Sequence, residues 1–492
     1  MPSRLPTPFL AAVFLAAACA PPARIGGVRS APPAPSGQWF APGEAGAPLR
    51  DGEVKLATRG AVVPVDIAGR LASLSLVDVV DLALGNSPQT RTSWAQARAA
   101  AAAYGSARGR FFPSLQADAT GGPSKSISQN PARVPAERTS VTTSLSLQYV
   151  LLDFGARGGA MAAAHEALFA ADLTHNSTVQ GVVLQAEGAY FSYQASRGLA
   201  DAARSGVETA RANLEAAERR HDVGLATIAD VLQARTALAQ AQLASQTADG
   251  AVHAAHTQLA VALGLPANAK FDAAADTGAT PVVALAENVD SLIERAVRDR
   301  PDVAAARALA RQSNHLIRAA QSAALPTVTL GASEGRNYSN NTALEGSTFG
   351  LTFGLSVPLF SGLSHEYDVV AAYENAAAAL ARAEQVRLQA IAQVFSSYYI
   401  LRTATQRVAT SVELLTSATQ SEEVARGRYA EGVGSILDLL TAQSALADAR
   451  AQAVQSRWTW YTALAQLSRD AGVLGPRGET NLQMTADPAR RP

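Results

Sequence analysis

The sequence predicts a mainly α-helical protein with a smaller β part, in which one order of helix, strand, strand, helix and helix occurs twice. Three observations support this fold class. A stretch of 24 residues is repeated far along the chain, the segments around it carry heptad-like apolar spacing, and four shorter segments alternate apolar and polar residues. The 492 residues are 48 % hydrophobic but only 6 % aromatic, and the many alanines suit long helices that pack closely.

The first element is an N-terminal export signal. Arg4 precedes an apolar run over residues 9–18, which is too short to span a bilayer but suits a signal peptide. Small residues precede Cys19, the single cysteine, as in the lipobox of bacterial lipoproteins. We therefore predict a signal peptide over 1–18 and a lipidated, extended arm over 19–70. Ordinary cleavage after Ala20 is the alternative.

The duplication defines the two halves of the chain. RRHDVGLATIADVLQARTALAQAQ, from position 219, matches GRYAEGVGSILDLLTAQSALADAR, from position 427, with an offset of 208. Pro88 and Pro113 are 25 residues apart, as are Pro301 and Pro326. The predicted segments are a first repeat over 71–265, a linker over 266–285, a second repeat over 286–472 and a loose polar tail over 473–492.

Each half is predicted to contain long helices. A helix over 88–112 is followed by a β-hairpin and then by a long helix over 156–221 and a shorter one over 228–264. Val179, Val183 and Ala186 step by four and three residues, which is coiled-coil spacing. The two shorter helices together are close to the long one in length and are expected to stack end to end beside it. The corresponding helices of the second half are predicted over 363–429 and 436–471.

Two β-hairpins are predicted, over 113–151 and 326–358. Their strands alternate: Val141, Leu145 and Leu147 share one side of the first hairpin, and Phe349 and Leu351 share one side of the second. Such strands suit either soluble hairpins on a helical scaffold or a transmembrane barrel. Four strands cannot close a barrel, so a membrane-spanning reading requires several copies of the chain, without fixing their number.

The repeated stretch itself predicts two equivalent helix–turn–helix tips. Gly224 and Gly432 can take the left-handed conformation that ends a helix. Three residues later Thr227 and Ser435 are good N-caps, and three further on come Asp230 and Asp438, which complete capping boxes.

The tip pattern, G-x-x-[ST]-x-x-D-[VL]-L-x-A, occurs twice and resembles that of the outer-membrane efflux (TolC-like) family. The VPLFSG motif that leads from strand into helix at positions 357–362, the 25-residue proline spacing and the lipobox resemble the same family, in its lipoprotein-type members. The resemblance covers about 71–472.

This resemblance implies a homotrimer whose chains share a 12-stranded transmembrane β-barrel and a long coiled-coil-like α-barrel. It implies an exit duct in the outer membrane of a Gram-negative bacterium, in contact with lipid and reaching into the periplasm. A periplasmic adaptor and an inner-membrane transporter would be its partners in a tripartite system for small molecules. By motif, the six tip residues would meet the adaptor, and Tyr429 and Asp438 would line the aperture. Gly434 departs from the pattern, because the best-known member has an arginine there that helps to hold the gate shut.

Other functions have less support from the residues. Within the channel interpretation, type I protein secretion is the alternative, and a structural coiled-coil periplasmic lipoprotein is the rival class. An adaptor should carry a small inserted β-domain, which the sequence does not indicate. Lys+Arg and Asp+Glu both number 41, so no charge excess indicates a nucleic-acid partner. His253 and His256 lack a nearby third ligand, and P-loop, zincin and nucleophile-elbow motifs are absent, so we predict no metal, cofactor or enzyme activity.

Overall fold

The computed structural model describes residues 36, 71–126, 136–274, 283–285, 288–340, 345–475 and 484–486. Within them the chain is mainly helical with a small sheet, as predicted. The first half contains α1 (Leu76–Asn86), α2 (Pro88–Gly109), β1 (Ser114–Ser126), β2 (Ala136–Leu152), α3 (Ala156–Asp222), α4 (Ile228–Ala262) and β3 (Val283–Leu285). The second half contains α5 (Val289–Asp299), α6 (Pro301–Ser322), β4 (Thr327–Ser339), β5 (Gly346–Ser356), α7 (Ser364–Ala430), α8 (Ile436–Asp470) and β6 (Met484–Ala486).

The two long helices, α3 and α7, organise the helical layer. Each has 67 residues and is therefore about 100 Å long. Both α2 and α4 pack against α3, whereas α6 and α8 pack against both α3 and α7. The layer thus has four columns in the order α2 with α4, then α3, then α6 with α8, and finally α7. Each pair of shorter helices accompanies one long helix, as their lengths predict.

The main hydrophobic core lies where α1, α4 and α8 meet the middle of α3. Val183, Leu259 and Leu263 are fully buried there. Phe191 stacks on Trp458 with ring centroids 6.1 Å apart and on Tyr461 at 5.5 Å. This core unites elements from both halves, so the two repeats fold as one body rather than as separate domains.

Four strands form one antiparallel sheet in the order β1-β2-β4-β5. The hairpins of the two halves join through β2 and β4, where Val141 faces Tyr338 and Leu147 faces Ala332. The register shifts between Val150 and Leu152, where the ladder of β2 and β4 is irregular. In the described part of the chain β1 and β5 are the sheet edges, and each has a strand neighbour on one side alone.

The structure differs from the sequence prediction at the helices that end near prolines. Helix α2 ends at Gly109 rather than at residue 112, because the residue before Pro113 is disfavoured in helical conformation. Two helices, α1 and α5, were not predicted. Pro88 and Pro301 occupy the first turn of α2 and α6, and their missing N–H groups separate α1 from α2 and α5 from α6.

The linker and the tail also differ from the prediction. The segments Val283–Leu285 and Met484–Ala486 pair as a two-stranded antiparallel sheet, so the predicted loose tail contains an ordered strand. Leu74 forms a parallel bridge with Ala273 inside the predicted linker. Such pairings join segments that are far apart in the sequence and carry no local periodicity, so pattern analysis does not detect them.

Candidate functional site

The first hairpin tip, at the end of α3, is a tight reversal centred on Gly224. Its φ is 76°, in the left-handed region that glycine adopts without strain. Leu225 N–H donates to the Arg220 carbonyl at 2.7 Å and thereby satisfies one of the last free carbonyls of α3. Thr227 then caps α4, and the Asp230 carboxylate accepts from the Thr227 backbone N–H at 2.8 Å. This is the reciprocal capping box that the sequence indicates.

The second tip, at the end of α7, repeats this geometry. Gly432 has a φ of 77°, and Val433 N–H donates to the Arg428 carbonyl at 3.0 Å. Ser435 and Asp438 form the second capping box. The hydrogen bonds of the Ser435 side chain and backbone, with the Arg428 charge, hold the pKa of the exposed Asp438 carboxyl below its usual value. Asp438 is therefore a fixed negative charge at neutral pH.

Gly434 lies against the last turn of α7. A Cβ built on it would be 3.1 Å from the Arg428 Cβ and 3.2 Å from the Tyr429 backbone nitrogen. Its N–H also donates to the Arg428 carbonyl at 3.0 Å. The backbone of the second tip therefore closes tightly on α7 at the position where the sequence departs from the resembled family's pattern.

Arg220 connects the two tips, which the sequence analysis did not predict. Its guanidinium donates to the Tyr429 carbonyl at 2.9 Å and lies 4.9 Å from the centroid of the Tyr429 ring. Burial raises the pKa of the Tyr429 phenol, an effect that the Arg220 charge opposes and the Asp230 charge reinforces. The structure thus brings Tyr429 close to residues of the first tip within one chain. The one signal in the sequence that singles out Arg220 is its match to Arg428, which lies 208 positions later in the second copy of the repeat.

A small hydrophobic cluster supports this contact. Ile436, at the start of α8, is only 3 % exposed and packs with Ala217, Val231 and Ala234 of the first hairpin. The second tip therefore rests against the first through apolar contacts as well as through Arg220.

Two other groups of predicted residues lie elsewhere. Cys19, the predicted lipidation site, is outside the described residues. His256 stacks on Phe271 with ring centroids 4.3 Å apart, and its Nε2 lies 3.2 Å from the Phe271 carbonyl, whereas His253 is exposed. His256 thus packs against the 266–274 segment. Among the described residues no cluster of three or more His, Cys, Asp or Glu side chains could hold a metal ion.

Comparison with known proteins shows which family has this duplicated architecture. The profile of the outer membrane efflux protein family matches residues 79–265 and 292–473, one match for each repeat. The chain belongs to the outer membrane efflux protein family. The predicted family is thereby confirmed, and so is the predicted class of outer-membrane efflux channel.

Individual relatives agree with the family match. The chain is 30 % identical over 421 residues to protein CyaE of Bordetella pertussis, covering 83 % of this chain and 86 % of that protein. It is 24 % identical over 429 residues to the toluene efflux pump outer membrane protein TtgC of Pseudomonas putida, covering 82 % of this chain and 87 % of that protein.

Solved structures show the same fold. The Campylobacter jejuni CmeC outer membrane channel superimposes with a TM-score of 0.72 at 18 % identity, covering 83 % of this chain and 87 % of that chain. The outer-membrane channel OprN superimposes with a TM-score of 0.72 at 19 % identity, covering 87 % of this chain and 99 % of that chain. No helix in the described part of this family member is long and apolar enough to cross a membrane.

Proposed function

We propose that three copies of this chain form the outer-membrane exit duct of a tripartite efflux system. The observation that carries the proposal is the four-stranded sheet, which exposes an apolar face and ends in two edge strands, β1 and β5. The side chains of this face are largely uncovered in one chain, with Phe349 79 % and Phe353 70 % exposed. An apolar face of this kind requires a partner or a lipid surface.

Closure of the sheet is the physical reason for several copies, and the family resemblance implies that their number is three. Open strand edges are not tolerated in the hydrocarbon part of a bilayer, and four strands are too few for a barrel. Pairing β5 of one copy with β1 of the next removes every edge, and three copies supply 12 strands. The strands have 11 to 17 residues, enough to cross the membrane at the usual barrel tilt.

The helical layer supports the same assembly. Its outer column, α7, leaves a row of large apolar side chains exposed, among them Leu388, Phe395 and Tyr399. The opposite outer column, formed by α2 and α4, is equally open in a single chain. If α7 of each copy packs against α2 and α4 of the next copy, this row becomes buried. The three helical layers then surround a continuous bore about as long as α3, on the order of 100 Å.

A charge on the apolar face of the sheet is expected to prevent membrane insertion. Phe353→Arg is expected to abolish trimer insertion, since a cation facing lipid near the midplane costs about 2–4 kcal/mol. Thr352→Arg is the matched control, because the neighbouring side chain faces the other side of the sheet. Trimer yield in the outer-membrane fraction and conductance in planar bilayers are the measurements. If both variants insert equally well, or if the parent protein is a water-soluble monomer, the sheet does not form a transmembrane barrel.

The proposed exit duct also implies its partners and its cargo. An inner-membrane transporter would supply the energy, and a periplasmic adaptor would dock on the hairpin tips, at Gly224, Thr227, Asp230, Gly432, Ser435 and Asp438. Tyr429 and Asp438 would line the aperture. The relative TtgC is named a toluene efflux pump protein, which supports a small-molecule cargo. A channel for protein secretion would use the same duct. Measuring which cargo is exported when the chain is paired with a drug-efflux transporter or with a protein-secretion transporter distinguishes small-molecule efflux from protein secretion.

Adaptor docking is tested at the second tip. Gly432→Val places a β-branched residue at a φ of 77°, which costs about 1 kcal/mol or more and distorts the turn. We expect the trimer and its conductance to persist while crosslinking to the adaptor and export decline. Gly427→Val is the control, because Gly427 lies in α7 with open space around its Cβ position. Adaptor crosslinking that is the same in both variants would show that this tip is not the docking surface.

Lipid anchoring is a separate proposal that rests on Cys19 after the apolar signal run. Cys19→Ser is expected to abolish metabolic labelling with palmitate while the trimer still inserts, because the barrel does not depend on the anchor. The intact mass of the mature parent protein should include the acyl groups. A parent mass without them would leave ordinary signal cleavage as the correct reading.

A further inference from the structure

The apolar face of the sheet also carries an arginine, Arg336 of β4. Residues directly opposite each other on neighbouring antiparallel strands place their side chains on the same face of a sheet. Arg336 is opposite Thr143 of β2 and Ser347 of β5. Two residues further along these two strands are Leu145 and Phe349, which belong to the apolar face. Arg336 therefore lies on that face as well, and in the proposed barrel it faces the lipid.

Arg336 lies at the edge of the apolar face that is farther from the helices. It follows Thr327, the first residue of β4, by nine positions, which is about 30 Å along a strand. At a barrel tilt of about 40° this distance becomes a height of about 23 Å, close to the apolar band of about 25 Å that such barrels present to lipid. The cost of a lipid-facing cation is small at this boundary. The charge of Arg336 is therefore at the level of the lipid headgroups.

The contacts of Arg336 prepare its guanidinium for a ligand. Its Cζ lies 5.1 Å from the centroid of the Tyr338 ring, two residues nearer the end of β4 on the same face. A guanidinium that stacks on a ring keeps its N–H donors around its edge, where they can form hydrogen bonds. The exposed side chains of Thr143 and Ser347 flank it on the two neighbouring strands. One cation and two hydroxyl groups thus form a polar row across three strands, which we call the Arg336 row.

The Arg336 row and the surface beside it select a ligand with two parts. A guanidinium is a planar fork of donors that binds phosphate oxygens in pairs. On the side nearer the helices the row adjoins Leu145, Phe349 and Leu351, which are 43 %, 79 % and 58 % exposed. These side chains offer an uncovered apolar surface to acyl chains. A molecule that satisfies both parts is a lipid with a phosphate in its headgroup.

A carboxylate also lies close to the row. Glu334 is exposed, precedes Arg336 by two residues and belongs to the same face. Its negative charge opposes the binding of an anion. The guanidinium of Arg336, however, rests on Tyr338, which lies on the other side of Arg336 along the strand. Glu334 therefore weakens an anion site at this position without removing it.

We propose that the Arg336 row binds the phosphate of a lipid in the membrane leaflet farther from the helices, while the acyl chains of that lipid lie along Phe349 and Leu351. This inference rests on the proposed exit duct, which places this face of the sheet in lipid. The strand neighbours of β4 are β2 and β5 of the same chain, so each copy carries a complete site. A trimer holds three such lipids, and their phosphates fix the height of the barrel in the membrane.

Lipid binding to the full-length trimer in detergent tests the site. Native mass spectrometry compares the retention of a phosphatidic acid with that of the diacylglycerol that has the same acyl chains and no phosphate. The parent should retain the phosphatidic acid in preference. Arg336→Gln should weaken its binding about tenfold, the loss expected for a hydrogen bond to a charged group, and leave the diacylglycerol unchanged. Arg211→Gln is the matched control, because it removes the same charge from an exposed position of α3 about 80 Å from the start of that helix.

Two further measurements define the ligand. Glu334→Gln should strengthen the binding of phosphatidic acid several-fold, because it removes the opposing charge. Weaker binding in this variant would mean that a cation bridges Glu334 to the lipid, and would overturn direct binding by Arg336. Excess inorganic phosphate should leave the lipid bound, since the free ion has no acyl chains for the apolar side chains. Full displacement by inorganic phosphate would show a site for a free anion and would overturn the lipid.

The outcomes separate this proposal from the proposed function. A conducting trimer that retains phosphatidic acid no better than diacylglycerol would overturn the lipid site alone. Equal retention by Arg336→Gln and Arg211→Gln would do the same, because the phosphate would then be bound elsewhere. A parent that neither trimerises nor conducts would refute the exit duct itself and the lipid site with it.

Discussion

Arg300→Ala is expected to lower the free energy of unfolding by about 3 kcal/mol, the cost of breaking a buried ion pair by removing one partner. The residue joins α5 to α6 and is only 3 % exposed. Its guanidinium forms a two-pronged pair with Asp302 at 3.0 and 2.7 Å. It also donates to Gln393 of α7 at 2.7 Å and to the Asp470 carbonyl at the end of α8 at 3.2 Å. One side chain thus ties four helices, and no smaller residue replaces those bonds.

The pH dependence of this effect is determined by Asp302. Burial alone would raise the pKa of the Asp302 carboxyl, but the hydrogen bonds and charge of Arg300 outweigh it and hold that pKa below its usual value. A lowered pKa in the folded state adds stability above the ordinary carboxyl pKa, and this stability is lost as pH falls through the folded value. The difference between the parent and Arg300→Ala should therefore be full at pH 7 and shrink in acid.

Thermal unfolding of the detergent-solubilised protein measures this effect. Arg298→Ala is the matched control, because Arg298 is 71 % exposed and pairs with the exposed Asp299, a contact worth less than about 1 kcal/mol. Equal melting temperatures for the two variants would mean that the four helices are held by apolar packing alone.

Asp172→Asn is expected to stabilise the protein, increasingly so from pH 5 to pH 8. Asp172 is fully buried on α3, and neither carboxylate oxygen has a hydrogen-bond partner in the part of the chain that the structure describes. Burial raises the pKa of Asp172 to about 8 and that of Glu187, on the same helix, to about 7. Helices α2 and α6 both pack along α3, and each contributes buried alanines, such as Ala97 and Ala308.

The sign follows from proton linkage. Between pH 4 and pH 8 the folded protein keeps a proton on Asp172 that the unfolded chain releases, so stability falls as pH rises through this window. Each pH unit within it costs about 1.4 kcal/mol. Asparagine is neutral and nearly the same shape as the protonated acid, so the variant does not incur this loss.

Melting temperatures of parent and variant at pH 5 and pH 8 provide the test. The advantage of the variant should be much smaller at pH 5 than at pH 8. Asp201→Asn, on the same helix with a 71 % exposed side chain, is the control and should leave the pH profile unchanged. A parent whose melting temperature rises from pH 5 to pH 8 in parallel with that of Asp172→Asn would contradict a buried, protonated Asp172.

Local rules in the sequence were sufficient for the longest elements of this protein, although not for α1, α5, β3 and β6. The duplication, the long helices, the two hairpins and the reversal at each tip all follow from periodicity, helix caps and the conformational freedom of glycine, which act over a few residues. Gly224 and Gly432 adopt the positive φ that the pattern requires. The family assignment followed because its motifs are short and occur twice in the same order.

Contacts across the fold were decided by the tertiary structure alone. The β3–β6 pairing, the four-helix tie at Arg300 and the burial of Asp172 depend on which distant segments meet, and no spacing in the sequence records this. The isoleucines at the tips give the clearest case. Ile228 and Ile436 begin equivalent helices in the same motif, yet one is 59 % and the other 3 % exposed, because only Ile436 has another hairpin of the chain to pack against. A side chain is buried by the residues packed against it, and these are determined by the tertiary fold rather than by the local motif.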